Sequence, residues 1–435
     1  MNFLKREDGN ELLDTLIPAD GTTTPESQQA EPGSAEAFLG FFDLFLPLPY
    51  RILFLVNLGI WLWCLNLKAC EDHNIDVVKV LKFPQAVVPD FRVNTLLKRC
   101  WKLSMKITVF TVVNYAVFVF MTLNNVTWKI IDWFPLGGLL LLFAMLLWPH
   151  DTFDRKRLFL TIKRVVVGNI DTNLRNNDIL LADTLTSYNR VLVDFFVYLT
   201  HLFGGVKALP EISTNSKNLD RSFATNYHLD ILFLIYPSAV RLRQCLIEYQ
   251  LSRKRNTSHL LNAVKYSTAF LPALATVYMK TIPQDDETRW KYGMKMWCMG
   301  SLINASYSFI WDISMDWNFE ILYNLLEGNT SKAVLRNVLM YDVKFFYYGA
   351  IAVDFGLRYI WLCRLLPTPV EGSGQIHATL AMLFTSEYGY FIIETMEILR
   401  RWVWVFIKVE TEYIKLLGPT ETSHGMELTD LPQMK

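Results

Sequence analysis

Arg400 and Arg401 stand side by side in Glu397-Ile-Leu-Arg-Arg-Trp-Val-Trp-Val-Phe, inside an apolar, aromatic stretch running from about 380 to 407. An arginine near a membrane midplane costs roughly 2.5–3.5 kcal/mol on insertion scales. A chain that keeps two adjacent ones needs something anionic for them to hold. Glu397, three and four residues earlier on the same helical face, neutralises one of them. A surplus positive charge remains in an apolar setting, and it reads as part of an anion site.

Other ionisable residues interrupt apolar segments, where they are functional candidates by default. Lys265, Arg358, Asp183, Arg190, Asp194, Asp312 and Asp316 are of this kind. Some are self-neutralising by spacing: Asp354 with Arg358, and Arg190 with Asp194, are i, i+4 partners, and the second reads as a structural pair. Lys265, Arg358, Arg400 and Arg401 lie on three segments and exceed what Glu397 and Asp354 cancel. Arginine's planar fork grips two oxygens of a phosphate, while lysine supplies a point charge. Nearby carboxylates weaken such a hold enough to permit release, which conduction requires. These residues therefore point to an oxyanion pathway. Trp311, Trp317, Tyr359, Trp361, Trp402 and Trp404 read mainly as interface anchors or packing, with one or two forming a gate. Asp312 and Asp316 share a helical face, but without a third carboxylate they make a poor Mg²⁺ site. No metal and no cofactor is expected. With no Walker A, HExxH or GxSxG motif, neither is an enzyme.

The elements that must position these side chains follow from composition. The 435 residues are 52% hydrophobic and 14% aromatic, with 42 basic and 42 acidic residues. The apolar excess is gathered in long runs, and balanced charge gives no field for nucleic acid. The six cysteines are scattered, with no disulfide or zinc framework. Segments long enough to span run at 44–67, 105–124, 130–149, 179–203, 229–249, 260–280, 291–313, 341–365 and 380–407. A tenth candidate at 72–84 is short and polar. Basic clusters at 92–106, 155–175 and 241–255 (Arg241 and Arg243 included) are separated by pairs of spans, so the positive-inside rule puts all three in the cytosol. The C-terminal tail is then cytosolic. The N-terminus joins it only if 72–84 crosses. Residues 154–176 mix bases and aliphatics at helical spacing, as an amphipathic helix on the cytosolic surface does. Residues 1–37 are polar, expected to be disordered, and contain an acidic dileucine pattern from Asp8 to Leu13. Of the four N-x-S/T sequons, at Asn125, Asn256, Asn304 and Asn329, only Asn125 falls at a luminal end.

Six ordered blocks then carry a resemblance. They are Leu181-Ala-Asp183; Pro237-Ser-Ala-Val-Arg-Leu-Arg; His259-Leu-Leu-Asn-Ala-Val-Lys-Tyr-Ser-Thr; Trp311-Asp-Ile-Ser-Met-Asp-Trp317; Asp354-Phe-Gly-Leu-Arg-Tyr-Ile-Trp361 with Tyr347-Tyr348; and Arg400-Arg-Trp-Val-Trp404 through Glu412. In this order they resemble the EXS family of membrane proteins, across roughly 40–413. The resemblance implies an all-α polytopic bundle of about ten transmembrane helices, with 72–84 as a short second span and both termini cytosolic. It implies a 1–37 tail, N-terminal helices over 38–178, a conducting core over 179–413 and a 414–435 tail. The phosphate-facing set falls on Lys265, Tyr266, Arg358, Arg400 and Arg401. Asp183, Asp312, Asp316, Trp361, Glu397 and Trp404 are pathway or gating residues. Thr184 and Thr186 depart from the amides of the exporters, as Tyr413 and Lys408 depart from a histidine and an arginine. Lacking room for an SPX sensor domain, the chain resembles the short yeast branch, which acts in the Golgi and recycles phosphate released by glycosylation. That implies inorganic phosphate and membrane lipids as partners and lumen-to-cytosol flux, supporting glycosylation and retention of ER proteins. A homodimer, glycosyltransferases or recycling adaptors are further candidate partners. A retention scaffold and a plasma-membrane phosphate exporter are the alternatives.

Overall fold

A computed structural model of the chain describes residues 42, 44–83, 91–124, 126–147, 153–204, 209, 229–282, 286–319, 335–336, 338–365 and 386–422. The 1–37 tail with its dileucine pattern, and the sequons at Asn125 and Asn329, lie outside the described residues. Those described are helical, with no strand among them.

Helix α1, Leu48–Asp72, begins behind Pro47 with Pro49 in its first turn, where a missing N–H costs nothing. It stops at His73, and Asn74 turns the chain with φ 56°. Next comes α2, Val77–Val80, capped by Asp76, which accepts from the Lys79 N–H at 3.2 Å. Four helical residues rise about 6 Å, against roughly 30 Å of hydrocarbon. The described part of the 72–84 segment, 72–83, therefore holds one short helical turn where the expectation is a short span. Val77, Val78 and Val80 are apolar because they seal one end of the bundle. Val77 and Val78 are buried in one cluster with Trp317, Trp404 and Val405.

Helices α3, Val93–Leu123, and α4, Trp128–Leu147, are, with α1, long and apolar enough to span on that ground alone. Val109, Val112, Val113 and Phe120 of α3 are exposed in a row that suits lipid and not water. Helix α5, Phe153–Val166, is the expected surface helix, shorter than expected because Gly168 (φ 71°) turns the chain. Arg157 ties it under α2 by donating to the Lys82 carbonyl at 2.9 Å.

Two expected spans are broken. The 179–203 run is α6, Arg175–Ser187, and α7, Asn189–Phe203, separated at Tyr188. After α8, Leu229–Leu251, the 260–280 run divides at Ala269 into α9, Thr257–Thr268, and α10, Phe270–Thr281. Pro272 has no N–H to carry the ladder back to α9. The Asn256 side chain caps α9 by accepting from Ser258. Helix α11, Glu287–Trp311, runs into a π-turn over Asp312–Asp316. Helix α12, Lys344–Tyr359, is followed by a 3₁₀ turn, Ile360–Leu365. Helix α13, Glu387–Thr422, passes the expected boundary at 413 and bends at Gly418 (φ 75°).

The bundle has two distinct ends. At the basic end, α2, α5, the start of α6 and the end of α8 meet: Asn176 donates to the Val80 carbonyl at 3.1 Å, and Arg175 pairs with Glu248. At the far end the first turns of α1 and α13 meet through Arg51 and Glu387, 2.8 Å apart. There too Lys280, ending α10, meets Asp230, starting α8, at 3.0 Å.

Candidate functional site

Between the two ends the broken helices, α11, α12 and α13 surround a cavity of about 360 Å³. Small-molecule sites span roughly 300–1,000 Å³, so the space suits a small solute. Interrupted helices are tolerated at membrane depth where they line such a space. Lys265, Tyr266, Arg358, Arg400 and Arg401 all line it, as do Glu397 and Trp361. Asp183, Asp312, Asp316 and Trp404 are not in its lining but stand behind it.

Each cation is held differently. Arg400 is gripped by Glu397 at 2.5 Å and by Asp354 at 2.8 Å. Arg358 donates to Asp354 at 2.9 Å, one turn away, and pairs with Asp312 across to α11. Lys265 lies 2.8 Å from Asp312 and 3.5 Å from Asp316. Asp312 is thus a fully buried hub for cations from α9 and α12, with Arg400 3.9 Å away. It sits at the head of the π-turn, a departure from α-geometry frequent at functional sites.

Arg401 is the exception. Its Nε donates to the Ser187 hydroxyl at 3.1 Å and its Nη2 to the Thr186 hydroxyl at 3.0 Å. The guanidinium also lies 4.6 Å over the Trp404 ring. Among the described residues no carboxylate comes within ion-pair distance of it. The Ser187 hydroxyl in turn donates to Glu397 at 3.0 Å. Three acids, Asp312, Asp354 and Glu397, therefore answer Lys265, Arg358 and Arg400, and Arg401 is the surplus cation.

Around this centre lie two further pairs. Asp183 accepts from Arg241 at 2.7 Å and from the Tyr266 hydroxyl at 2.5 Å. Asp316 is 3.0 Å from Lys408, which also meets Glu412 at 3.2 Å. Trp361 packs edge-on against Trp297, ring centroids 5.7 Å apart. Trp404 is fully buried among Trp317, Val405 and Ile407 toward the basic end.

Local spacing in the sequence predicts Asp354–Arg358 and Glu397–Arg400 correctly. Three expectations need correction. Asp312 is a counter-ion to Lys265 and Arg358, where spacing had linked it only with Asp316. Arg241, placed by sequence in a cytosolic basic cluster, is 1% exposed inside the bundle on Asp183. Arg190 and Asp194 do not form the expected i, i+4 pair, because no carboxylate of the described residues lies within 4.0 Å of Arg190. Sequence reasoning missed Ser187, Arg241 and Lys408 as neighbours of the site. Arg241 and Lys408 carried a signal, each being a base beside or within an apolar run.

Comparison with known proteins agrees with this architecture. The EXS family profile matches residues 46–414. Protein ERD1 of Kluyveromyces lactis is 34% identical over 408 residues, 88% of this chain and 96% of that protein. Protein ERD1 homolog 1 of Schizosaccharomyces pombe is 28% identical over 400 residues, 91% of this chain and 97% of that protein. Human Solute carrier family 53 member 1 is 26% identical over 372 residues, 83% of this chain but 43% of the longer relative.

Proposed function

The chain belongs to the EXS family of membrane proteins, and from that premise we propose that it conducts inorganic phosphate across the Golgi membrane, from lumen to cytosol. The observation that carries the reading is Arg401, a buried guanidinium whose hydrogen-bond partners are two hydroxyls, on the wall of a cavity where Lys265, Arg358 and Arg400 are held by acids. Hydroxyls donate as readily as they accept, so Thr186 and Ser187 can turn toward an arriving oxyanion while Arg401 keeps donating. The likeness to a relative named as a solute carrier supports transport.

In this mechanism phosphate displaces water from the cavity and takes Arg401 first. Arg400, Arg358 and Lys265 join it by sharing N–H groups with Glu397, Asp354 and Asp312. Those same acids limit affinity, because each regains its cation when the anion leaves. Tyr266 is oriented by Asp183. Lys265 and Lys408, with Asp316 between them, continue the cations toward the basic end, which the positive-inside rule places in the cytosol. Trp361 and Trp404 flank the two sides of the site as gating side chains. Flux is passive, down the gradient left when nucleoside diphosphates from glycosylation are hydrolysed in the lumen. Clearing that phosphate supports glycosylation and, through it, retention of ER proteins.

The test is purified protein in liposomes loaded with labelled phosphate. Flux above empty liposomes is expected, with loss in the Arg400→Ala, Arg401→Ala double variant. No flux, or equal flux from the double variant, overturns the reading and leaves a retention scaffold in its place. Imaging a tagged chain distinguishes the Golgi from the plasma membrane.

A further inference from the structure

Arg190 lines the same cavity as Arg401 and is partly exposed to it. It stands in the first turn of α7, just past the break at Tyr188. No carboxylate of the described residues lies within 4.0 Å of its guanidinium. In this it differs from Lys265, Arg358 and Arg400, each of which is held by an acid, and resembles Arg401. The two arginines are connected through the chain. Thr186, which accepts from Arg401, lies four residues before Arg190, across the break at Tyr188. Since α6 starts at the basic end, Arg190 is on the far-end side of the Arg401 site.

From this placement we infer that Arg190 forms a second, weaker oxyanion station, which captures phosphate from the far end of the cavity and passes it to Arg401. The inference rests on the proposed phosphate conduction and adds to it the route of approach. A guanidinium presents five N–H donors in a fixed fork, matched to two oxygens of a tetrahedral anion. Its charge in a low-dielectric cleft raises the local anion concentration and the rate of encounter. The surroundings keep the hold weak. Asp194, one turn further along α7, Glu394 of α13 and Asp230, which Lys280 meets at 3.0 Å, also line the cavity. An anion at Arg190 therefore meets one open cation and a partly acidic rim, which favours transfer to Arg401 and its hydroxyls.

The experiment compares wild type, Arg190→Gln and Arg190→Lys in liposomes, titrating inorganic phosphate on the far-end side at two salt concentrations. Charge-assisted hydrogen bonds of this kind correspond to roughly tenfold in affinity. Arg190→Gln is expected to raise the half-saturating phosphate concentration about tenfold, with maximal flux within about twofold of wild type and a flattened salt dependence. Arg190→Lys, which keeps the charge but not the fork, is expected to retain the salt dependence and part of the affinity. An unchanged half-saturation in Arg190→Gln overturns the station while leaving phosphate conduction standing. So does a fall in maximal flux alone, which marks a structural role. A wild type that carries no phosphate overturns both.

Discussion

The Tyr188 hydroxyl lies over Gly59, 2.0 Å from where a Cβ on that glycine would stand, and donates to the Leu55 carbonyl at 3.0 Å. The break between α6 and α7 is thereby pinned to α1. On either side of Tyr188 are Ser187 and Thr186, which hold Arg401, and Arg190. Gly59→Ala must push the ring away, and overpacking of this type costs about 1–3 kcal/mol. The expected result is a folded protein with a slightly lower melting temperature and several-fold lower phosphate flux, because the hydroxyls shift relative to Arg401. Wild-type flux in Gly59→Ala would mean that the pin has no bearing on the site.

Arg400 and Arg401 are adjacent in sequence but differ in what their loss leaves behind. Removing Arg400 takes the arginine from Glu397 and one of two from buried Asp354, and breaking such a pair costs up to roughly 3–5 kcal/mol where the charge left behind is buried. Removing Arg401 leaves two hydroxyls, of which Thr186 already donates to the Asp183 carbonyl at 2.6 Å. Arg400→Ala should therefore lower the melting temperature sharply, while Arg401→Ala should melt near wild type and yet lose flux. Thermal melts in detergent beside flux in liposomes test this. Equal destabilisation by the two would contradict the charge assignment.

Helix positions and the pairs within one helix were legible in the sequence, because apolar run length and i, i+4 spacing are local properties. Asp354–Arg358 and Glu397–Arg400 are of this type. The partners of Lys265, Asp183 and Arg401 were not, since each comes from another helix and only packing brings it near. Arg190 and Asp194 show the converse. Spacing permits their contact, yet no ion pair forms between them although both line the cavity. At 72–84 the apolar residues are real, yet they cover the end of the bundle and do not face lipid. Breaks at Tyr188 and Ala269 leave little trace in hydropathy, which averages over them.

Asp312 holds Lys265 and Arg358 at the centre of the site and is fully buried. Asp312→Asn keeps the shape but leaves those cations without their shared counter-ion, at a cost of about 3–5 kcal/mol. An anion that binds only the folded state adds stability that grows with the logarithm of its concentration relative to its Kd. Phosphate in the buffer should therefore raise the melting temperature of Asp312→Asn more than that of wild type. Maximal flux should fall, since nothing displaces the anion. An identical phosphate-induced shift in both proteins would show that Asp312 does not compete for the anion's cations.

Arg51 in the first turn of α1 meets Glu387 in the first turn of α13 at 2.8 Å, and Phe42 packs edge-on against Tyr388, centroids 5.1 Å apart. Both helices therefore begin at the far end, and α13 leaves at the basic end, where Lys408 and Glu412 pair. With one short helix at 77–80, the first turn of α1 and the end of α13 lie at opposite ends of the bundle. Residues 1–37 contain no apolar run of spanning length. If the basic end is cytosolic, the N-terminal tail is luminal, and its Asp8–Leu13 pattern is out of reach of cytosolic sorting proteins. The measurement is protease protection in sealed membrane vesicles carrying the protein. A tag placed before residue 42 should resist digestion until detergent is added, whereas a tag after residue 422 should be cut at once. Cleavage of both tags in sealed vesicles would require a further crossing ahead of α1 and return both termini to the cytosol.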